Sequence, residues 1–240
     1  MNTIESLWGG LTLQTAPDVF ALSTDSILLA DFVRLRPGDS VCDLGCGAGI
    51  LGLLLCGRDA RCRVVGVELE PRACALASRN IARNALDGRF SLIPGDLRAI
   101  RSLLPAGSIS HVVANPPYFP SASSAAPVSA RAAARSEQTC SLDEVCAAAA
   151  WLLRWGGRFS VVYRPERLCD LFCALRACRL EPKRLRFVRH HPGAAVSLVL
   201  MEAVAGGGAG LSFEPDLLLH NADGTPSAEH RRIYHCEGGI

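Results

Sequence analysis

The chain has 240 residues, 49 % of them apolar and 20 % charged, which fits a folded protein with one sizeable core and excludes a disordered one. A formal net charge of only +2 excludes a general basic coat for nucleic acid but leaves room for a local basic patch. The 11 cysteines include no C-x-x-C pair, so zinc-site spacing is absent, no metal is expected, and the thiols read as small reduced core residues.

The N-terminal "MNTIESLWGG" lacks a basic region leading into an apolar run, so it does not read as a signal peptide. No apolar stretch reaches the length of a membrane span, and a cytoplasmic protein without membrane contact is expected. Residues 1–35 hold the alternating "GLTLQTAPDVFALS" and a helix starting near Asp25, and read as a β/α extension packed on the core. From Val41 a rhythm of strand, glycine turn and helix begins. "SVCDLG" is a strand ending at Asp43, and "AGILGLLLCG" is a helix. "CRVVGVELE" is a strand ending at Glu68, and "PRACALASRNIARNAL" is a helix opened by Pro71. "RFSLIPGD" is the third strand, with Asp96 opening a short helix, and "HVVAN" is the fourth. The Ala- and Ser-rich residues 119–139 fit a mobile loop. A capping box, Ser141 with Glu144, starts a buried core helix through "CAAAAWLLRW" that stops at Gly156-Gly157. "GRFSVVYRP" is the fifth strand and "PERLCDLFCALRAC" a helix. "EPKRLRFVRHHPGAAVSLVLMEA" reads as a hairpin turned at His191-Pro192-Gly193. The expectation is a doubly wound α/β domain over residues 36–205, its mostly parallel seven-stranded sheet ending in that antiparallel hairpin. Residues 206–240 form a C-terminal tail that can be partly ordered, starting with the flexible "GGGAG".

Three features turn this fold toward chemistry. "DLGCGAGILG" joins a strand to a helix through glycines that let a ligand approach the backbone. Asp43, Glu68 and Asp96 end successive strands, so their carboxylates line one crevice, with Glu68 where an acid takes a ribose diol. The glycine spacing departs from the G-x-G-x-x-G of NAD sites, and an aspartate before the loop suits the cationic S-adenosylmethionine better. Across the crevice stands "NPPY". The Asn115 amide oxygen and the Pro116 carbonyl can both accept from one –NH2, Pro117 has no N–H to compete, and Tyr118 can stack on a flipped base. As a bland alternative, the prolines make a rigid turn after a buried strand.

"DLGCGAGILG", "VVGVELEP" and "NPPY" together resemble the class I S-adenosylmethionine-dependent methyltransferases of the amino-methylating branch. "LTLQTAPDVFALSTDSILLADFV", "ARSE" and "PKRLRFVRHHPGAAVSLVLMEA" extend the resemblance over residues 8–205. They make the chain similar to the tRNA adenine-N6 methyltransferases that modify the adenine 3′ of the anticodon in a valine tRNA. The resemblance implies that Asp43, Gly45, Cys46 and Gly47 hold the methionine part of the cofactor, and that Glu68 and Leu69 lie at the ribose. It puts Asp96 and Leu97 at the adenine, has Thr24 and Asp25 close over the cofactor, and gives Asn115, Pro116, Pro117 and Tyr118 the target amine. The chain departs from the pattern at Ser136, where the family usually carries histidine. Arg131, Arg135, Lys183, Arg184, Arg186 and Arg189, beside the His190-His191 pair, are candidate contacts to RNA phosphates; for those in the hairpin a solvated strand face is the alternative. Methylation of a protein glutamine amide is the rival activity, and a non-catalytic binding protein of the same fold the rival class.

Overall fold

In the computed structural model, which describes residues 3–15, 23–116 and 140–234, the apolar runs become a layered α/β sheet. β1 (Thr3–Ser6) and β2 (Thr12–Thr15) form a separate antiparallel pair. β3 (Ser40–Leu44), β4 (Arg63–Glu68), β5 (Phe90–Pro94), β6 (Ile109–Ala114) and β7 (Leu153–Tyr163) are parallel. β8 (Leu180–Arg189) and β9 (Val196–Ala205) make the expected hairpin, with β9 antiparallel to both β7 and β8. Short β10 (Ser212–Phe213) and β11 (Leu217–Leu218) pair parallel with β8 and bring the sheet to nine strands. The order is β10-β8-β9-β7-β6-β3-β4-β5, so the chain reverses direction across the sheet between β3 and β6. In an open α/β sheet that reversal opens a crevice at the carboxyl ends of the two strands.

Alternation along each strand fills two cores. Val41, Val113 and Val162 join one with α1 (Thr24–Phe32) and α2 (Ile50–Arg58). Cys42, Val112 and Val161 join the other with α5 (Leu142–Leu152) and α6 (Leu168–Ala177). α3 (Pro71–Arg83) and α4 (Ile100–Leu103) complete the crossovers, and α7 (Ala228–Ile233) closes the described chain. Buried Asn80 on α3 bonds the Gln14 backbone in both directions (2.8 and 3.1 Å) and the Ala48 carbonyl (3.0 Å). One turn later Asn84 does the same for Thr12 (2.8 and 2.7 Å). These two amides satisfy the outer edge of β2 as a neighbouring strand would.

Two expectations need correcting. The helix opened by the Ser141–Glu144 capping box ends at Leu152, and Leu153 to Gly157 already belong to β7, leaving Trp155 82 % exposed and outside the core. Cys169 and Cys173 are exposed on α6, whereas Cys42, Cys46, Cys56, Cys62, Cys74 and Cys146 are buried as expected. The described part of the tail, to Tyr234, packs on the N-terminal region: Trp8 donates its indole N–H to the Ile233 carbonyl (2.9 Å), and Arg232 grips both Asp31 oxygens (2.8 and 2.9 Å).

Candidate active site

The glycine loop leaves β3 and is tied to the end of β4, where the Val67 carbonyl accepts from Gly45 N–H (2.9 Å) and Cys46 N–H (3.2 Å). Gly45 and Gly47 adopt φ of 71° and 55°, a region that disfavours side chains, and a Cβ on either would point into open space. Gly52 does a different job: a Cβ there would sit 2.3 Å from the Phe90 ring, so it lets α2 lie close on the sheet.

Asp43 is the pivotal side chain. It is 1 % exposed; its Oδ2 accepts the Gly52 N–H at 3.3 Å, and its Oδ1 is buried without a partner. Burial pushes its carboxyl up to about 7, against the Gly52 hydrogen bond and with help from the Glu68 charge. A buried carboxylate oxygen without a donor suits a cationic group that arrives with its own N–H. Glu68 accepts the Gly47 N–H on Oε2 and the Glu70 N–H on Oε1, both at 2.8 Å. It thereby braces the loop, and its further lone pairs can take hydroxyl donors. Leu69 beside it is an exposed apolar residue. Asp96 caps the Leu97–Ala99 turn and accepts from the Arg98 guanidinium on both oxygens (3.0 Å at Oδ1, 2.6 Å at Oδ2), a bond that keeps its carboxyl below the usual range. Leu97 next to it is half-buried.

Asn115 leaves β6 across the switch point from Asp43. Its Nδ2 donates to Ser26 Oγ on α1 at 3.0 Å, and Ser26 Oγ lies 3.3 Å from Ser23 Oγ. With the Ser26 hydroxyl donating to Ser23, its oxygen is left to accept from Asn115. The amide oxygen of Asn115 is then the end turned away from α1. The sequence does not signal Ser26, which stands 89 residues from its partner. Pro116 is buried, while Pro117, Tyr118, Arg131 and Arg135 lie outside the described residues. Thr24 and Asp25 open α1 and line a neighbouring cavity to which no residue of the glycine loop contributes.

Each of the four basic residues of β8 has a partner within the protein. Arg184 is 5 % exposed, bonded to Glu202 (3.1 Å), Glu214 (3.0 Å) and the Phe32 carbonyl (2.7 Å), and stacked 3.7 Å above the Phe32 ring. Arg186 holds Glu229 through two bonds (2.8 and 2.7 Å), Arg189 holds Asp216, and Lys183 donates to the Gly208 carbonyl (3.0 Å). The solvated strand face is corrected at Arg184, which is buried; besides Glu202 on β9, the acids that pair with this row (Glu214, Asp216 and Glu229) arrive with the folded C-terminal segment. Among the described residues, no cluster of His, Cys, Asp or Glu could hold a metal, and no helix is long and apolar enough to cross a membrane.

Fold and crevice together define a Rossmann-like methyltransferase. The structure superposes on that of a predicted O-methyltransferase from Agrobacterium tumefaciens with a TM-score of 0.73, at 20 % identity, over 90 % of this chain and 98 % of that one. A geranyl diphosphate methyltransferase in complex with SAM matches at a TM-score of 0.55 and 17 % identity, over 75 % of this chain and 84 % of that one. Residues 10–171 match the methyltransferase small domain family, to which the chain belongs. The tRNA1(Val) (adenine(37)-N6)-methyltransferase of Porphyromonas gingivalis is 31 % identical over 220 residues, 88 % of this chain and 86 % of that protein.

Proposed function

We propose that the protein transfers a methyl group from S-adenosylmethionine to the N6 amino group of an adenine in tRNA. The observation that supports this reading is Asn115 at the switch point, its amide nitrogen bonded to Ser26. The relatives' shared name supplies the substrate. The residues present fit the cofactor: the orphaned Asp43 Oδ1 suits its ammonium, the side-chain-free face of Gly45 and Gly47 admits its methionine part, and Glu68 retains acceptors for its ribose. When bound, S-adenosylmethionine supplies an electrophilic methyl group.

The chain's own residues prepare the acceptor. An adenine amino group is a poor nucleophile because its lone pair is delocalised into the ring. Asn115 Oδ1 and the Pro116 carbonyl each accept one of its N–H groups and aim the lone pair at the methyl. As the nitrogen gains the methyl it turns cationic, and the same two oxygens stabilise that charge before a proton leaves to solvent. Tyr118, which lies outside the described residues, is the side chain the sequence offers for stacking on the base. The test is incubation of the protein with labelled S-adenosylmethionine and, separately, unmodified tRNA and release-factor protein, followed by mapping. Label in N6-methyladenine of tRNA supports the reading; label confined to a glutamine of the protein overturns it.

A further inference from the structure

Beside the catalytic amide lies a cavity of about 350 Å³ that the methyl-transfer chemistry does not use. One wall is the first turn of α1, Thr24 and Asp25; Arg164, just past the end of β7, forms another. The rest comes from the β8–β9 hairpin and the folded C-terminal segment, including His220, His230 and Tyr234. Their rings form a ladder: His230 stacks on Tyr234 at 4.4 Å, and His220 lies 5.6 Å from His230. His230 Nδ1 is buried without a partner.

This lining sorts the ligands that fit. A phosphate would find Arg164 and the histidines but would also meet the Asp25 carboxylate, the one acid among the described lining residues. A purely apolar group would waste the guanidinium, the hydroxyls and the imidazole nitrogens. A flat heterocycle with donors and acceptors on its rim fits all of them: rings to stack on, a carboxylate for its N–H groups, a guanidinium for its carbonyl or ring nitrogen. The position supplies the rest. Ser26, which orients Asn115, follows Asp25 directly on α1, and helical residues rise by only about 1.5 Å each. Something seated here is a near neighbour of the base undergoing methylation.

Building on the proposed tRNA activity, we infer that this cavity receives a second, unstacked nucleobase of the same RNA loop, next to the target adenine, and stacks it on the His220 ring. The C-terminal segment is then part of the substrate site, and it reads the sequence around the target.

The test pairs protein variants with RNA lesions. Wild type, His220→Ala and His220→Phe are assayed on an anticodon stem–loop RNA and on versions with one abasic site at each loop position flanking the target adenine. Cofactor affinity is measured alongside. His220→Ala is expected to raise the KM for RNA about 5- to 100-fold, as loss of one base–aromatic stack does, with cofactor affinity unchanged. His220→Phe retains a ring and stays near wild type. One abasic position should cost wild type a comparable factor and cost His220→Ala little more, because protein ring and RNA base form one interaction. Losses that multiply independently at every position, or an unaltered KM in His220→Ala, overturn the inference while leaving the methylation reading standing. A phenylalanine variant as impaired as the alanine one also overturns it, since the ring face would not be what matters. Wild type inactive on every RNA sinks both readings.

Discussion

In the proposed mechanism Asn115, Ser26 and Asp43 carry the chemistry residue by residue, and each has its own signature. Asn115→Ala should lower single-turnover methylation by about 10²–10³, the scale of losing one charge-stabilising donor or acceptor at a reacting centre. Cofactor affinity should hold, because the amide acts where nitrogen becomes positive and not on the cofactor. Ser26→Ala removes only the bond that fixes the amide's orientation. A net hydrogen bond of about 1 kcal/mol corresponds to roughly a fivefold loss in kcat, and Ser26→Thr, which keeps the hydroxyl, should restore it. A threonine variant as slow as the alanine one would assign Ser26 to packing. Asp43 makes a pH prediction, because burial raises its carboxyl from the usual 3.8 to about 7. In the cofactor-free protein the folded state keeps a proton that the unfolded chain has lost. Between about pH 4 and 7 the Asp43 contribution to stability therefore falls as pH rises, then levels off. Asp43→Asn should abolish that slope in urea unfolding and be the more stable protein at pH 8. Cofactor affinity of wild type should climb as pH rises through 7, since only the carboxylate attracts a cation. A flat affinity profile from pH 5.5 to 8.5 would show that Asp43 does not meet the ammonium group.

At the scale of elements, the β8 row is a clamp. Arg184, Arg186 and Arg189 draw Glu214, Glu229 and Asp216 onto the sheet edge, and the segment they hold supplies His220, His230 and Tyr234 to the cavity beside the site. Arg184→Ala leaves Glu202 buried without its countercharge and should cost about 3–5 kcal/mol in urea unfolding. The salt dependence of tRNA binding should stay as it is, because no phosphate contact is lost. Intact stability with a shallower salt slope would return Arg184 to the RNA surface. The sequence shows these arginines as an exposed basic stripe because their acidic partners come 18 to 43 residues later, beyond any local pattern. The end of α5 was hidden for a related reason. Trp151 to Trp155 continue a helical apolar pattern, and pairing of Leu153 with Ile109 on β6 overrides it. The strands, by contrast, were legible because short β-branched runs between glycine turns leave few other choices.

For the whole molecule, chain order and strand-end residues were enough to place Asp43, the glycine loop, Glu68 and Asn115 at one sheet edge, since a parallel sheet brings the ends of its strands together. What the sequence concealed is what α1 and the C-terminal segment add from opposite ends of the chain. Ser26 bonds the Asn115 amide, and Trp8 and Asp31 anchor α7 through Ile233 and Arg232. Such contacts span 89 to 225 residues and leave no periodic trace. The central claim is that the Asn115 amide drives methylation of an adenine amino group. It is tested most directly by single-turnover transfer from labelled S-adenosylmethionine to unmodified tRNA, comparing wild type with Asn115→Ala at saturating cofactor. The account predicts N6-methyladenine in the wild-type reaction and a rate about 10²–10³ lower in a variant that melts and binds cofactor as wild type does. A folded Asn115→Ala protein that methylates tRNA at the wild-type rate would contradict it.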